Sequence, residues 1–460
     1  MSALENPQIL RYPFPSQFDG EGATRTLRLA TFRSGEDPSP FFFEGRLARP
    51  QQTAELLRAI MTVVQSRFHI PAAMLGRILA EADPVVTAND DRLRFEGFSA
   101  CCGAYARLDL LPGAFAGTVA GRGTTNVDFN PPMLAALARV KATDKVSLAV
   151  GADQVVLQQQ ESEVVEKKVK LPVRWLKGFV EVQTVQSRMQ HVHQIPALHA
   201  LRFFRSLPRM KTNRRATFVT RAGQGLRLSQ VEAKDAVRVG GLERLGVLES
   251  LARKADRLDV YTDALTGASG WTLTFPDCRF HLVISPEVWR GFSGEGQALR
   301  SLATVDKTSL DKVRASLVWQ AVIDRDQLAA AAKLPPATVD DLLKMLGARG
   351  LVGFDLSEQA YFHREAPFDV SQVEKLQPRL IAARKLIDAE KVQLKQQTKT
   401  RADFEVAGTG VIHRVTISSG NETAFKCTCP WHNKHGVERG PCKHILAAQI
   451  VLEESEAKGQ

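Results

Sequence analysis

The stretch GLERLGVLESLARKADRLDVYTDALTGASGWTLTFPDCRFHLVIS, residues 241–285, changes its apolar period partway along. GLERLGVLESLARKA reads as a helix, the charged pair Asp256-Arg257 ends it, and DRLDVYTD, WTLTF and RFHLVIS follow with strand patterning. The same order recurs upstream with other residues. NVDFNPPMLAALARVKA gives a short strand and a proline-initiated helix with Met133, Leu134, Leu137 and Val140 on one face. Asp144-Lys145 closes it, and KVSLAVGADQVVLQQ reads as a hairpin. In the first copy Leu56, Leu57, Ile60, Val63, Val64 and Phe68 follow helical spacing, and a second helix is expected through Met74, Leu75, Ile78 and Leu79. After Asn89-Asp90-Asp91, Leu93–Phe98 and 104–111 read as strands. Thr26–Phe32 and Phe41–Leu47 are strands ahead of it. Few identities align, so the repetition is one of architecture, and the fold class is multidomain α+β.

This helix-plus-hairpin unit resembles the repeating unit of DNA sliding clamps, most clearly in VDFNPPMLAALARVKATDKVSLAVGADQVVL at 127–157. The resemblance implies a clamp-like scaffold that holds nucleic acid. The other reading is an ordinary α+β sheet faced by one layer of helices.

At 460 residues the chain exceeds one ordinary core, and its formal charge of +11 with pI near 9.4 favours a polyanionic partner such as DNA. No run suits a membrane span, and the start MSALENPQILRYPFPS lacks signal-peptide character, so a cytoplasmic protein without membrane contact is expected. Three of the six cysteines cluster near the end, and Cys101, Cys102 and Cys278 are expected as buried free thiols of a reducing compartment.

Between the second and third units, 201–227 carries Arg202, Arg205, Arg209, Lys211, Arg214, Arg215, Arg221 and Arg227 with Phe203, Phe204 and Phe218, and no acidic residue. Guanidinium groups fork onto phosphates while rings stack on bases, so this is a candidate nucleic-acid segment. The alternative is a helix with its arginines in water and its phenylalanines in the core. His191, His193 and His199 lie just upstream without a nearby thiol or carboxylate, and read as surface or packing histidines.

Residues 307–368 read as three helices, at Lys307–Val322, Asp324–Lys333 and Ala337–Arg349, followed by the hairpin LVGFDLSEQAYFHR. The order is similar to a winged helix-turn-helix domain. Its third helix would be the DNA reader, yet it opens with Asp340 and Asp341 against only Lys344 and Arg349. Protein contact or scaffolding is therefore favoured over base reading. Residues 370–399 are expected to form a basic helical spacer.

The chain then reaches Cys427-Thr428-Cys429, twelve intervening residues, and Cys442-Lys443-His444 at the head of an apolar helical run. Three thiolates and one imidazole at this spacing suit tetrahedral zinc, and neither half holds the ion alone. The pattern C-x-C-x12-C-x-H, behind strands at Phe404–Val411, Arg414–Ile417 and Thr423–Cys429, resembles the SWIM zinc finger. The resemblance covers about 402–455 and implies Cys427, Cys429, Cys442 and His444 as ligands of one structural Zn2+. His432 and His435 are expected in solvent. Lys426, Lys434, Arg439 and Lys443 beside Trp431 form a candidate phosphate-contacting surface; otherwise Trp431 covers the zinc core.

No phosphate loop, nucleophile elbow or H-E-x-x-H is present, GFSGEG at 291–296 lacks the residues such loops need, and no catalysis or small-molecule substrate is expected. The expected units are 1–120, 121–300, 301–368, 369–400 and 401–460. The expected function is DNA binding, largely by backbone contacts. The alternative is a non-catalytic protein–protein adaptor in a bacterial ATPase-associated multi-protein system.

Overall fold

LRFEGF at Leu93–Phe98 and AYARLDL at Ala104–Leu110 alternate apolar with charged residues, and in the computed structural model they pair antiparallel at the middle of an eight-stranded sheet. The structure describes residues 9–11, 17–19, 24–29, 41–67, 83–119, 121–127, 129, 131–151, 168–170, 173–208, 216–287, 291–294, 296–303, 307–366, 375, 377–418 and 423–458. The sheet order is 190–196, 257–263, 268–274, 278–284, 104–110, 93–98, 85–88, 123–126. The first and third units are therefore one sheet, joined where Cys278 pairs with Leu110 and Ile284 with Ala104.

The helices of those units pack on this sheet. Pro50–Gln65 buries Leu56, Leu57, Ile60, Val63 and Val64, and Gly246–Ala252 buries Leu248 and Leu251. The second helix of the first unit and the second strand of the middle hairpin lie outside the described residues. Lys145–Gly151 pairs instead with Thr24–Leu29, in parallel, and with Phe41–Leu47. Cys101 and Cys102 sit in the turn between two strands rather than on one, with Cys102 at φ +52°. These two and Cys278 are buried thiols outside any disulfide, and burial pushes the Cys102 and Cys278 pKa values up.

The helices Lys307–Ala315, Arg325–Ala332 and Pro336–Ala348 and the hairpin of Val352–Asp355 with Ala360–His363 follow in the expected order. The first ends seven residues early. Asp324 caps the second through Asp326 N and Gln327 N, both at 2.9 Å. The module shares one apolar core with the large sheet through Val313, Leu328, Val339, Leu346 and Phe354.

The spacer departs from expectation. Pro378–Asp388 is helical, but Val392–Gln397 is a strand pairing with Arg401–Ala407. Its residues alternate little because all but Val392 are exposed, so helix-favouring Lys and Gln hide the strand. It edges a four-stranded sheet with Ile412–Ser418 and Ala424–Cys427. The last helix, Lys443–Lys458, closes a second core with Leu380, Phe404, Val415 and Ile445.

Candidate metal centre

Each ligand candidate is placed by a local rule. Cys427 ends a strand that pairs with Ile412–Ser418, and Thr428 holds the turn through Thr428 N to Arg414 O at 3.1 Å and Arg414 N to Thr428 Oγ1 at 3.0 Å. Cys429 caps a short helix absent from the sequence reading, Pro430–His435, its sulfur accepting from His432 N at 3.4 Å. Cys442 accepts from Ile445 N at 3.5 Å, and His444 lies in the first turn of Lys443–Lys458. That helix begins two residues after Pro441.

The four donor atoms lie within 4.8 Å of one another, and the residues are only 2–5% exposed. Cys427 Sγ is 3.8 Å from His444 Nδ1. Zinc–sulfur bonds of about 2.3 Å and zinc–nitrogen bonds of about 2.0–2.1 Å at tetrahedral angles put ligand atoms at comparable spacing. The donor set therefore fits a metal ion, with Nδ1 as the histidine ligand. A hydrogen bond from the Cys427 thiol lowers the Cys442 pKa to about 4 and raises that of Cys427, while burial raises Cys429. His444 Nε2 is buried without a hydrogen-bond partner among the described residues, its ring 4.3 Å from that of His413.

The loop leading into Cys442 is fastened to the scaffold. Gln297 Nε2 donates to Val437 O at 2.6 Å and Glu438 O at 2.9 Å. Arg379 donates to Pro441 O at 2.7 Å and Arg439 O at 3.0 Å, with its guanidinium 4.5 Å over the Trp431 ring. Arg439 itself pairs with Glu287 at 2.5 Å. Behind Gln297, the buried carboxylate of Glu181 accepts from the backbone N–H groups of Gln297 and Ala298 at 2.9 and 3.0 Å, and burial raises its pKa. No sequence signal marks Gln297, Arg379 or Glu181 as partners of the finger, because each acts across long separations.

Lys426, Lys434 and Lys443 are exposed, whereas Arg439 is committed to Glu287. Trp431 is half-buried, with Arg379 on its face and the His435 ring at 5.0 Å; His432 and His435 are half-buried rather than exposed. In the basic segment, Ala197–Ser206 is a helix whose Arg202 and Arg205 are exposed, Arg205 lying 3.7 Å from Glu249. Phe203 and Phe204 are buried against Trp271 and Phe218 is buried in a strand, so these rings are not available to stack on bases. Arg209, Lys211, Arg214 and Arg215 lie outside the described residues. The two basic groups sit on different cores.

A second constellation escaped the sequence reading. Asp109, His281 and Asp355 cluster with Arg94 and Arg107, all at most 1% exposed. Arg107 Nε is 2.8 Å from Asp109 and its Nη2 3.1 Å from Asp355; Arg94 reaches Asp355 at 3.3 Å and donates to Asn89 Oδ1 at 2.6 Å. His281 Nε2 lies 3.0 Å from Asp109 Oδ2 and 3.2 Å from Arg107 Nη2, and its Nδ1 is 2.9 Å from the Thr272 hydroxyl. Thr272, His281 and Asp109 thus have the connectivity of a hydroxyl, base and carboxylate, but all three are 0% exposed and no substrate reaches them. Two guanidinium groups already balance the two carboxylates, which leaves no charge for a cation to satisfy. The cluster joins the sheet to the 307–366 module, as does Arg364 with Glu96 at 2.7 Å, the Glu96 carboxylate also accepting from the Tyr105 hydroxyl at 2.5 Å within the sheet.

No helix among the described residues is long and apolar enough to cross a membrane. No protein-family model and no curated protein matches the sequence. Among solved structures, the chain is similar to the proliferating cellular nuclear antigen of Entamoeba histolytica, at 9% identity and TM-score 0.35 over 54% of this chain and 99% of that one. A second similar structure is the PCNA2-PCNA3 complex from Sulfolobus tokodaii, at 9% identity and TM-score 0.33 over 53% and 99%. At these scores the likeness carries no inference about this chain.

Proposed function

We propose that this chain binds DNA, largely through backbone phosphates, using a C-terminal SWIM-type zinc finger at 401–460 as the contact module. The reading is supported above all by the buried Cys427, Cys429, Cys442 and His444 set, around which Lys426, Lys434 and Lys443 stay exposed on a chain of net charge +11. Arg202 and Arg205 add exposed charge elsewhere. Four protein ligands leave no coordination position for substrate or activated water, so zinc here is a builder of surface and takes no part in catalysis. Residues 1–300 are the α+β scaffold, 301–368 a winged-helix-like module, and 369–400 the link to the finger. The test combines zinc analysis with DNA binding across a salt series, before and after chelation. One zinc per chain and an affinity that falls steeply with salt and is lost on chelation are expected. Zinc without DNA affinity, or a flat salt dependence, overturns the proposal.

A second reading, a non-catalytic protein adaptor, draws support from the 336–348 helix. Its Val339, Leu342, Leu343, Met345 and Leu346 are buried, and its exposed turn pairs Asp341 with Lys344 at 2.8 Å and Asp340 with Arg325 at 3.4 Å. Such a helix is poorly suited to a DNA groove, while Val318 and Val322 nearby in sequence stay 57% and 37% exposed. A stable partner in pull-downs that is lost in Cys442→Ser, without change in DNA binding, would establish this alternative.

A further inference from the structure

The hairpin of Thr217–Ala222 with Gly225–Ser229, and the loop after it, bound a polar concavity of about 500 Å3 away from the metal centre. Its lining includes the exposed cations Arg221, Arg227 and Lys234 against one carboxylate, Asp235. Arg221 donates to the carbonyls of Gly223 and Gln194, at 3.2 Å each. At its base His193 is 4% exposed, and its Nε2 and the Thr220 Oγ1 are buried without hydrogen-bond partners among the described residues. The other ring nitrogen of His193 is engaged by the Asp235 carbonyl, on a residue held at φ +61°. Burial lowers the His193 pKa, so the ring is neutral near pH 7 with its Nε2 lone pair uncommitted. Buried polar atoms almost always have partners. Two that lack them beneath three cations suit a ligand bringing both negative charge and a proton.

We propose that this concavity is a binding site for a phosphate monoester, the terminal phosphate of a nucleotide or of a polynucleotide end. A monoester titrates between one and two negative charges near pH 6, and close to that pH its monoanion keeps a proton that the His193 lone pair can share while Arg221, Arg227 and Lys234 take its oxygens. Binding is therefore coupled to proton uptake when the free ligand is the dianion. An internal diester phosphate has one charge and no proton to give. The inference is independent of the DNA-binding reading.

The test is calorimetric titration of the full chain at pH 6.5 and low salt with inorganic phosphate, adenosine 5′-monophosphate, and a single-stranded oligonucleotide bearing either a 5′-phosphate or a 5′-hydroxyl. Saturable phosphate binding is expected, weakened about tenfold by Arg227→Gln and again by Lys234→Gln, both exposed positions at which folding is not at risk. Preference for the phosphorylated oligonucleotide would assign the site to strand ends, and mononucleotide binding without that preference would assign it to free phosphoesters. Absence of phosphate binding, or equal binding by both variants and the parent, overturns the proposal. Phosphate binding without any DNA affinity would remove the DNA-binding reading and leave this one standing.

Discussion

Replacing Gly440 by alanine should release the loop before Cys442 from the scaffold while leaving the metal in place. Gly440 has φ +75°, where an L side chain costs about 1–2 kcal/mol, and an added Cβ would overlap the carbonyl of Gly296. The obstruction is backbone, so a side-chain rotation cannot relieve it and the loop must withdraw. Withdrawal gives up the Gln297 contacts to Val437 and Glu438 and strains those of Arg379 to Arg439 and Pro441. Two neutral hydrogen bonds at about 1 kcal/mol each, added to the backbone strain, come to about 3 kcal/mol. That raises the open population by about a hundredfold. Limited trypsinolysis with mass spectrometry reads this directly, because Arg439 is itself a cleavage position and cleavage tracks the open population. Cutting after Arg439 should accelerate by about two orders of magnitude, with one zinc per chain retained. Unchanged protection would refute the docking argument. Loss of zinc would show that loop and ligands move as one body and refute the claim of a separable contact.

Asp109→Asn should cost about 3–5 kcal/mol, since Arg94 and Arg107 would then share one buried carboxylate, Asp355. The readout is an earlier urea unfolding transition by tryptophan fluorescence, and a transition matching the parent's would deny the network a structural role. Burial and the neighbouring Arg107 charge hold His281 below its ordinary pKa, so below about pH 6.5 the unfolded chain takes up a proton that the folded chain refuses. Stability should therefore fall between pH 7 and 5, by up to about 1.4 kcal/mol per pH unit from this residue, and His281→Gln should lessen that slope. Glu181, with its raised pKa, works in the opposite direction, so the comparison is with the parent rather than with zero slope. Asp109 and Asp355, both held low chiefly by Arg107 against the opposing effect of burial, lose their contribution only below about pH 4. Lys344→Glu should leave DNA affinity within about twofold, because Lys344 is already paired with Asp341 on a helix buried along its apolar face. A large loss in a filter-binding or anisotropy titration would make that helix a DNA reader after all.

Local order was legible where one stretch of chain carries its own instructions. The spacing of Cys427, Cys429, Cys442 and His444 specified a four-donor cluster because a strand end and a helix start bring ligands together over a short loop. The helix at Pro50–Gln65 and the three-helix order at 307–348 followed from apolar spacing, and Phe203 and Phe204 obeyed the structural half of a two-sided reading. Val392–Gln397 was misread because an exposed edge strand has no buried face to print a period of two.

What only the tertiary structure decided is which faces meet water. In LRFEGF and AYARLDL, alternation identifies Arg94, Glu96, Arg107 and Asp109 as one face, and the natural expectation for such a face is solvent. That face is instead covered by the 352–363 hairpin, more than two hundred residues away, and its charges are satisfied by Asp355, Arg364 and His281. Alternation reports which side chains share a side of a sheet; what covers that side depends on contacts between distant segments, which no local pattern encodes. The same reason hid Gln297 and Arg379, whose hydrogen bonds turn a finger legible in sequence into a part of the scaffold.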